Sequence, residues 1–297
     1  MAECRRTHCP PPPPPYIRTG PLHPNFSDLG RVPRDLLTKG FSPGHVLSFS
    51  CLGPKNSLLT STATIQTAST VGVTTASVVE GCRKHELSFS TLNNQITGVS
   101  SFTDLAINGL TATVEASAPG GRQDSKITLQ YMNENANISA KVSGTQPHPE
   151  VELSLGLGTC CLSAGGSALF DARTQRIMSA RAGIGYQNES LSAAVLFDPL
   201  TDRYIDAYFS RVISPELQVG AILSHQMDQG FGSAKVGGSY HWDKQSTVKW
   251  RIDSHGMAAG LLQYTPNTRI TFGLLTDINL KDLGAKPQIG LSMSLKA

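Results

Sequence analysis

The chain offers few side chains in arrangements that support bond-making chemistry. Cys4, His8 and Cys9 form the tightest group of soft donors, but no second pair of ligands follows at zinc-site spacing. The six cysteines (Cys4, Cys9, Cys51, Cys82, Cys160, Cys161) show no framework spacing and read as inert thiols of a chain made in a reducing compartment. The histidines are scattered, and neither G-x-S-x-G nor H-E-x-x-H occurs. Gly120-Gly121-Arg122 lacks the Gly-Lys-Ser that completes a phosphate loop. No metal or cofactor is expected, and an enzyme is a poor fit. What recurs instead is charge at every second position. Such charge attracts or repels ions without reacting with them.

Two segments show the pattern. Lys126, Thr128 and Gln130 alternate with Ile127, Leu129 and Tyr131; Thr247, Lys249, Arg251 and Asp253 alternate with Val248, Trp250 and Ile252. Successive side chains of a strand point to opposite faces, so each segment has one wet and one apolar face. In register, the wet face collects Lys126, Lys141, Lys235, Lys249, Arg251, Arg269 and Lys296, with Glu150, Glu152, Asp206 and Asp253. The other face collects residues such as Ile127, Leu153, Phe209, Val236, Trp250 and Phe272. A charge on a lipid-facing wall near mid-bilayer costs about 2–4 kcal/mol, which accounts for its absence from the second face. Trp242 and Tyr264 near strand ends suit a membrane interface.

The elements that position these charges are about nineteen short strands. They are expected near 45–52, 57–66, 70–80, 85–94, 96–105, 106–118, 126–133, 136–144, 150–158 and 160–170. Beyond these come 176–186, 189–197, 202–212, 217–226, 231–242, 246–253, 256–264, 268–276 and 287–296. Turn residues separate many of them, as at Pro119–Gly121, Pro147–Pro149, Asp198–Pro199 and Pro266–Asn267. Short connections make most neighbours antiparallel. The expected fold is all-β: a transmembrane β-barrel, apolar outside and wet inside, over residues 41–297.

Composition agrees. Charged residues make up 16% and hydrophobic residues 39%, against about 25% charge in soluble domains. The formal net charge of +3 and the lack of a basic stripe exclude a nucleic-acid partner. No segment reaches the ~18 apolar residues of a membrane helix, which leaves strands as the way to cross. Arg5, Arg6 and His8 lead into prolines, unlike a secretory signal, so the sequons at Asn25, Asn137 and Asn188 carry no weight.

Residues 1–25 read as a proline-rich, disordered extension, with the run Pro10–Pro15 favouring a stiff polyproline helix. Residues 26–40 hold the helix candidate. Ser27 is placed to cap it, and Leu29, Val32 and Leu36 share one face. Arg31, Arg34 and Asp35 take the other side; Pro33 either opens a short helix or kinks a longer one, and Gly40 ends it.

Four motifs in order now carry a family resemblance. They are Asp28-Leu29-Gly30-Arg31-Val32-Pro33-Arg34-Asp35-Leu36-Leu37, Lys126 to Tyr131 with Leu157-Gly158-Thr159 and Leu169-Phe170-Asp171, Thr247 to Gln263, and Ile289 to Lys296. From about residue 26 to the end, the chain resembles the voltage-dependent anion channel, the mitochondrial porin, of a plant-like type. That channel has nineteen strands, so the strand count and the resemblance are one expectation rather than two.

The resemblance implies an odd-numbered barrel whose first and last strands pair in parallel, with the helix in or near the pore as a gate. Asp28, Arg31, Arg34, Asp35 and Lys39 are its gating charges. Lys126, Lys141, Lys235, Lys249, Arg251, Arg269 and Lys296 line the pore and favour anions, being seven bases against four acids. Anionic metabolites such as ATP and ADP are the permeants, crossing the lipid bilayer of the mitochondrial outer membrane under voltage control. Gln288, Gly290, Met293 and Leu295 fit the signal read by the outer-membrane sorting and assembly machinery, and homo-oligomers are compatible with the family.

Pro33 departs from the small helix-former usual there, which implies a shortened or kinked helix and altered gating. Lys249-Trp250-Arg251 replaces a Gly-Leu-Lys that some members have, so Arg251 takes that basic role towards nucleotides. The proline-rich extension has no family counterpart. Two rival readings stand beside this one. A related barrel acting as a protein-import channel wants a more acidic lumen, and a soluble β-rich binding protein wants a dry core.

Overall fold

The computed structural model describes residues 25–297, except 42–43, 54–56, 67–68, 81–82, 91–94, 104–107, 119–123, 145–148, 160, 201–202, 228–229, 283 and 285–286. The Cys4–His8–Cys9 group, the proline run, Cys82, Cys160, the turn at Pro119–Gly121 and Pro147 lie outside the described residues.

Among the described residues, nineteen strands form one sheet. They are β1 (His45–Leu52), β2 (Ser57–Gln66), β3 (Ser69–Glu80), β4 (Arg83–Ser90), β5 (Gln95–Thr103), β6 (Leu110–Ala118), β7 (Asp124–Met132), β8 (Ala136–Ser143), β9 (Glu150–Gly158) and β10 (Leu162–Asp171). The series continues with β11 (Arg176–Gln187), β12 (Leu191–Asp198), β13 (Tyr204–Val212), β14 (Leu217–Gln226), β15 (Gly230–His241), β16 (Ser246–Asp253), β17 (Met257–Asn267), β18 (Ile270–Asn279) and β19 (Gln288–Lys296). Each strand pairs antiparallel with its sequence neighbours, and β1 closes the cylinder by pairing parallel with β19, Val46 opposite Ser292 through Ser50 opposite Lys296. Strands of 8 to 12 residues match the ~9–11 needed to cross a bilayer at a tilt. Barrels of 16–18 strands already leave an aqueous channel, so a nineteen-stranded one is open along its axis.

Three local expectations change. β17 runs through Pro266 and Asn267 instead of ending before them, and the turn sits at residues 268–269. The register slips between Tyr264 and Asn267, and this irregularity absorbs a proline that has no N–H to give the ladder. β5 stops at Thr103 and β6 begins at Leu110, so the two do not abut. β4 spans Arg83–Ser90 rather than 85–94.

Burial is inverted relative to a soluble domain. Large apolar side chains on alternate positions, among them Leu153 (54% exposed), Ile184, Leu223 and Ile252, cover the outside of the cylinder. The buried side chains lie inside, where the N-terminal segment packs. Soluble monomers rarely expose apolar patches beyond a few hundred Å², whereas here the apolar belt runs around the wall. Trp242 (71% exposed) stands at the β15–β16 turn, and Tyr264 pairs with Ser246 of the same turn, so both aromatics sit at one end of the barrel.

The expected helix over 26–40 divides in two. A 3-10 turn at Phe26–Asp28 precedes α1 (Arg31–Thr38), and Gly30 separates them with φ +69°. Ser27 therefore does not cap α1. It lies inside the 3-10 turn and donates its N–H to Asn25 Oδ1 at 3.3 Å, while Gly30 takes the N-cap position with no side-chain cap. Pro33 is the third residue of α1, where its missing N–H would have had no partner. The first helical bond runs from Arg34 N–H to Gly30 O at 3.1 Å, so the proline costs the helix nothing. Lys39 closes α1, and Gly40 (φ +92°) turns the chain out of it.

Candidate functional site

The lumen is shaped by α1 lying on the inner wall. Pro33, Leu36 and Leu37 form its buried face, with Leu37 fully enclosed. Val32, expected in that stripe, is only half-buried, because the contact is centred one residue further on. The helix packs on β13, β14 and β15, and the preceding 3-10 turn on β9 and β10. Leu29 packs with Ala194 and Tyr208; after the helix, Phe41 packs with Ala259, Leu261 and Leu275. These contacts fall near the middle of their strands, so the segment narrows the bore at mid-height. In a water-filled lumen each buried leucine contributes about 1.5–3 kcal/mol to keeping the helix on the wall.

Two arginines fix its orientation. Arg34 stacks over the Tyr208 ring at 5.2 Å, and the Tyr208 hydroxyl donates to Asp206 at 3.4 Å. Arg251 Nη1 donates to Leu37 O at 3.2 Å, and the same guanidinium lies 4.7 Å from the centre of the Phe41 ring. A cation at the last turn satisfies a carbonyl without an intrahelical partner and opposes the helix dipole.

Of the helix charges, Arg31 pairs with Asp28 at 3.0 Å and with Asp35 at 3.7 Å. Lys39 pairs with Asp35 at 2.7 Å. The exposed side of α1 is thus a ladder of neutralised charge. Exposed pairs of this kind contribute at most about 1 kcal/mol each.

The wall charges are placed by the strand register. Lys126, Lys141, Lys235, Lys249, Arg251 and Lys296 share the inner face with Glu150, Glu152, Asp206 and Asp253. Arg269 does not: it lies in the β17–β18 turn, at the barrel's end. The same register turns further carboxylates inward, namely Glu86, Glu115, Asp171, Asp198 and Asp277, and further cations, Lys84, Arg176 and Arg181. Among the described strand residues the two signs therefore balance, in place of the expected seven to four. The sequence held the signal for the acids, since Glu86, Glu115, Asp171, Asp198 and Asp277 alternate with the outward apolar neighbours Leu87, Val114, Phe170, Phe197 and Ile278.

Most of these wall cations are tied to acids. Lys141 meets Glu152 at 2.9 Å, Lys126 meets Glu115 at 3.8 Å, and Lys235 meets Asp253 at 3.8 Å. Lys84 meets Glu86 and Arg181 meets Asp198, each at 3.1 Å. Lys249 stands apart from these pairs, half-buried on β16 beside Lys39 and Asp35 at the helix end. Of the positive groups outside these pairs, Arg176 and Lys296 stand at strand ends, whereas Lys249, Arg251 and Arg34 gather where the helix narrows the bore.

At the closing seam, Gln288 and Gly290 face inward while Met293 and Leu295 face outward. Gly290 has a packing reason as well, because a Cβ there would come within 2.8 Å of Gly44 O.

An inverted barrel with this N-terminal segment has relatives. The family model described as eukaryotic porin matches residues 23–290. The mitochondrial outer membrane porin of Triticum aestivum is 25% identical over 91% of this chain and 98% of its own length. Mitochondrial outer membrane protein porin 1 of Arabidopsis thaliana is 26% identical, covering 91% and 97%. The outer plastidial membrane protein porin of Pisum sativum is 25% identical over the same shares. A match that takes in the helix and nearly all the strands, on a barrel closed by a parallel seam, leaves one assignment: the chain belongs to the eukaryotic porin family.

Proposed function

We propose that this porin is a voltage-gated, weakly anion-selective pore that carries small metabolites and ions across the mitochondrial outer membrane. The observation that carries the reading is the mid-height narrowing, where a helix rests on the inner wall and Lys249, Arg251 and Arg34 stand outside the ion pairs. Focusing by low-dielectric walls makes charges at a narrowing outweigh those at a wide mouth. A modest preference for anions such as ATP and ADP follows despite the balanced wall. The helix residues Asp28, Arg31, Arg34, Asp35 and Lys39 form the charged gate, and Arg251 acts on it as a positioning group, since its guanidinium is already engaged by Leu37 O and Phe41.

The surroundings follow from the same reading. The apolar belt meets the lipid bilayer, and the names of the wheat and Arabidopsis relatives support the mitochondrial outer membrane as its place. Gln288, Gly290, Met293 and Leu295 serve as the signal for the sorting and assembly machinery, and copies assemble within the membrane as homo-oligomers. The gate at 26–40 and the barrel at 41–297 form the working pore. The apolar belt speaks against a soluble binding protein, and the cations that stand outside ion pairs at the narrowing speak against a lumen that draws basic import sequences.

The test is current through refolded protein in a planar bilayer under a KCl gradient. Large steps with a reversal potential on the anion side, closing at high voltage of either sign, are expected. A cation-side reversal would remove the selectivity assigned to Lys249 and Arg251. Imaging of a tagged chain checks the location: overlap with a mitochondrial marker is expected, and a plastid-envelope signal would move the same pore to the membrane named for the pea relative.

A further inference from the structure

The glycines of the inner wall are not spread evenly around the barrel. From β2 to β8, no inward-facing strand position among the described residues is glycine; those positions carry mostly threonine, serine, valine and charge, with Leu58, Gln130, Met132 and Asn137. Inward glycines appear only from β9 onward; leucines of the N-terminal segment point at Gly183, Gly185, Gly220 and Gly237, whereas Gly273 and Gly290 face Ser292 and Gly44. A Cβ on Gly185 would come within 2.7 Å of Leu29 Cδ2. On Gly220 it would come within 2.9 Å of Leu36 Cδ2, and on Gly237 within 2.7 Å of Leu37 Cδ2, with the Trp250 carbonyl of the next strand nearer still. These distances are too short for any real side chain. The leucines cannot swing aside cheaply, because Leu29, Leu36 and Leu37 are 6%, 8% and 0% exposed. Glycine within a strand marks close approach by another group, and here the group is a leucine knob of the helix segment.

We propose that Gly185, Gly220 and Gly237 are positioning residues: sockets that seat Leu29, Leu36 and Leu37 and so set how far the helix stands out from the wall. The inference rests on the pore reading and deepens it, by naming the wall residues that fix the open bore and the voltage at which it closes. Three sockets on β11, β14 and β15 match knobs in both spacing and direction along one segment, so the seat specifies one placement of the helix. Adding a methyl group to a socket pushes the helix toward the axis. The open pore then narrows, and a helix already lifted needs less field to leave the wall.

Gly220 and Gly185 are the best places to test this, since the first atom their added Cβ would meet is a leucine tip of the helix segment. Full-length Gly220→Ala and Gly185→Ala proteins are refolded, checked by circular dichroism for the barrel, and measured singly in bilayers in KCl. The expected result is a lower open-state conductance and a closing voltage shifted toward zero in each. The paired variants Gly220→Ala/Leu36→Ala and Gly185→Ala/Leu29→Ala are expected to lie closer to wild type than their glycine single variants. Leu36→Phe enlarges the knob and leaves the wall untouched, so it is expected to show the same shift even if a glycine variant does not assemble. Folded single variants with wild-type conductance and closing voltage would overturn the proposal, as would paired variants no closer to wild type than the singles. A wild-type protein that folds but passes no current would instead remove the pore reading beneath it.

Discussion

Arg251 shows how one residue's surroundings decide its role. Sequence alone makes it a basic group on the wet face of β16, available to a passing nucleotide. Its guanidinium instead holds Leu37 O and covers the Phe41 ring, so its first effect is on the helix. Arg251→Ala removes a charged hydrogen bond of about 1.5–3 kcal/mol and the cation–π contact beside it. The variant is expected to fold and conduct, but to close at lower voltage and expose α1 to limited proteolysis. Unchanged closure would return Arg251 to the solvent. Lysine cannot replace it, because a point charge does not make both contacts, so Arg251→Lys is expected to resemble the alanine variant. Lys141 makes a contrast. Its 2.9 Å pair with Glu152 lies on the wall away from the helix, and Lys141→Gln frees one carboxylate. The reversal potential is expected to move slightly toward cations without any change in closing voltage.

Among the elements, the strands were the most legible and the N-terminal helix the least. Alternation reports strands directly, because the two walls of the barrel meet different solvents. Only β4, set a few residues late, β5 and β6, placed end to end across their turn, and β17, ended before Pro266, were misjudged. A proline inside a strand is invisible to a periodicity argument when a register slip absorbs it. The helix misled for a different reason. Local signals assigned Ser27 as cap and Val32 to the buried stripe, while tertiary packing chose Gly30 and the row Pro33, Leu36, Leu37. Pro33, read as a defect, is a buried member of that row. Pro33→Ala is therefore expected to leave helix content unchanged and to loosen the seat a little, through lost contact alone. Leu37→Ala vacates the fully enclosed position and is expected to cost about 2–5 kcal/mol of helix docking. Its readout is faster and more frequent closure at moderate voltage.

The molecule as a whole is a cylinder with its solvents exchanged, and this was legible from composition and alternation. The charge balance of the lumen was not. Selecting only the clearest strands collected the basic residues and passed over Glu86, Glu115, Asp171, Asp198 and Asp277, which the full register turns inward. Net charge is therefore a poor guide to selectivity here; the position of unpaired charge along the bore is the better one. The outer wall gives a further check. Leu153 lies mid-strand on the apolar belt and is 54% exposed, so Leu153→Arg is expected to cost about 2–4 kcal/mol in a bilayer. A lower yield of assembled barrel in lipid vesicles would report it.

We propose an open barrel whose bore is governed by the wall-seated helix. Single-channel recording of the refolded full-length protein, with voltage stepped in both directions under a KCl gradient, tests it most directly. Large, anion-leaning steps are expected, closing at high voltage in the wild type and at lower voltage in Arg251→Ala. Folded protein that forms no pore, or a pore whose closure ignores the loss of Arg251, would contradict it.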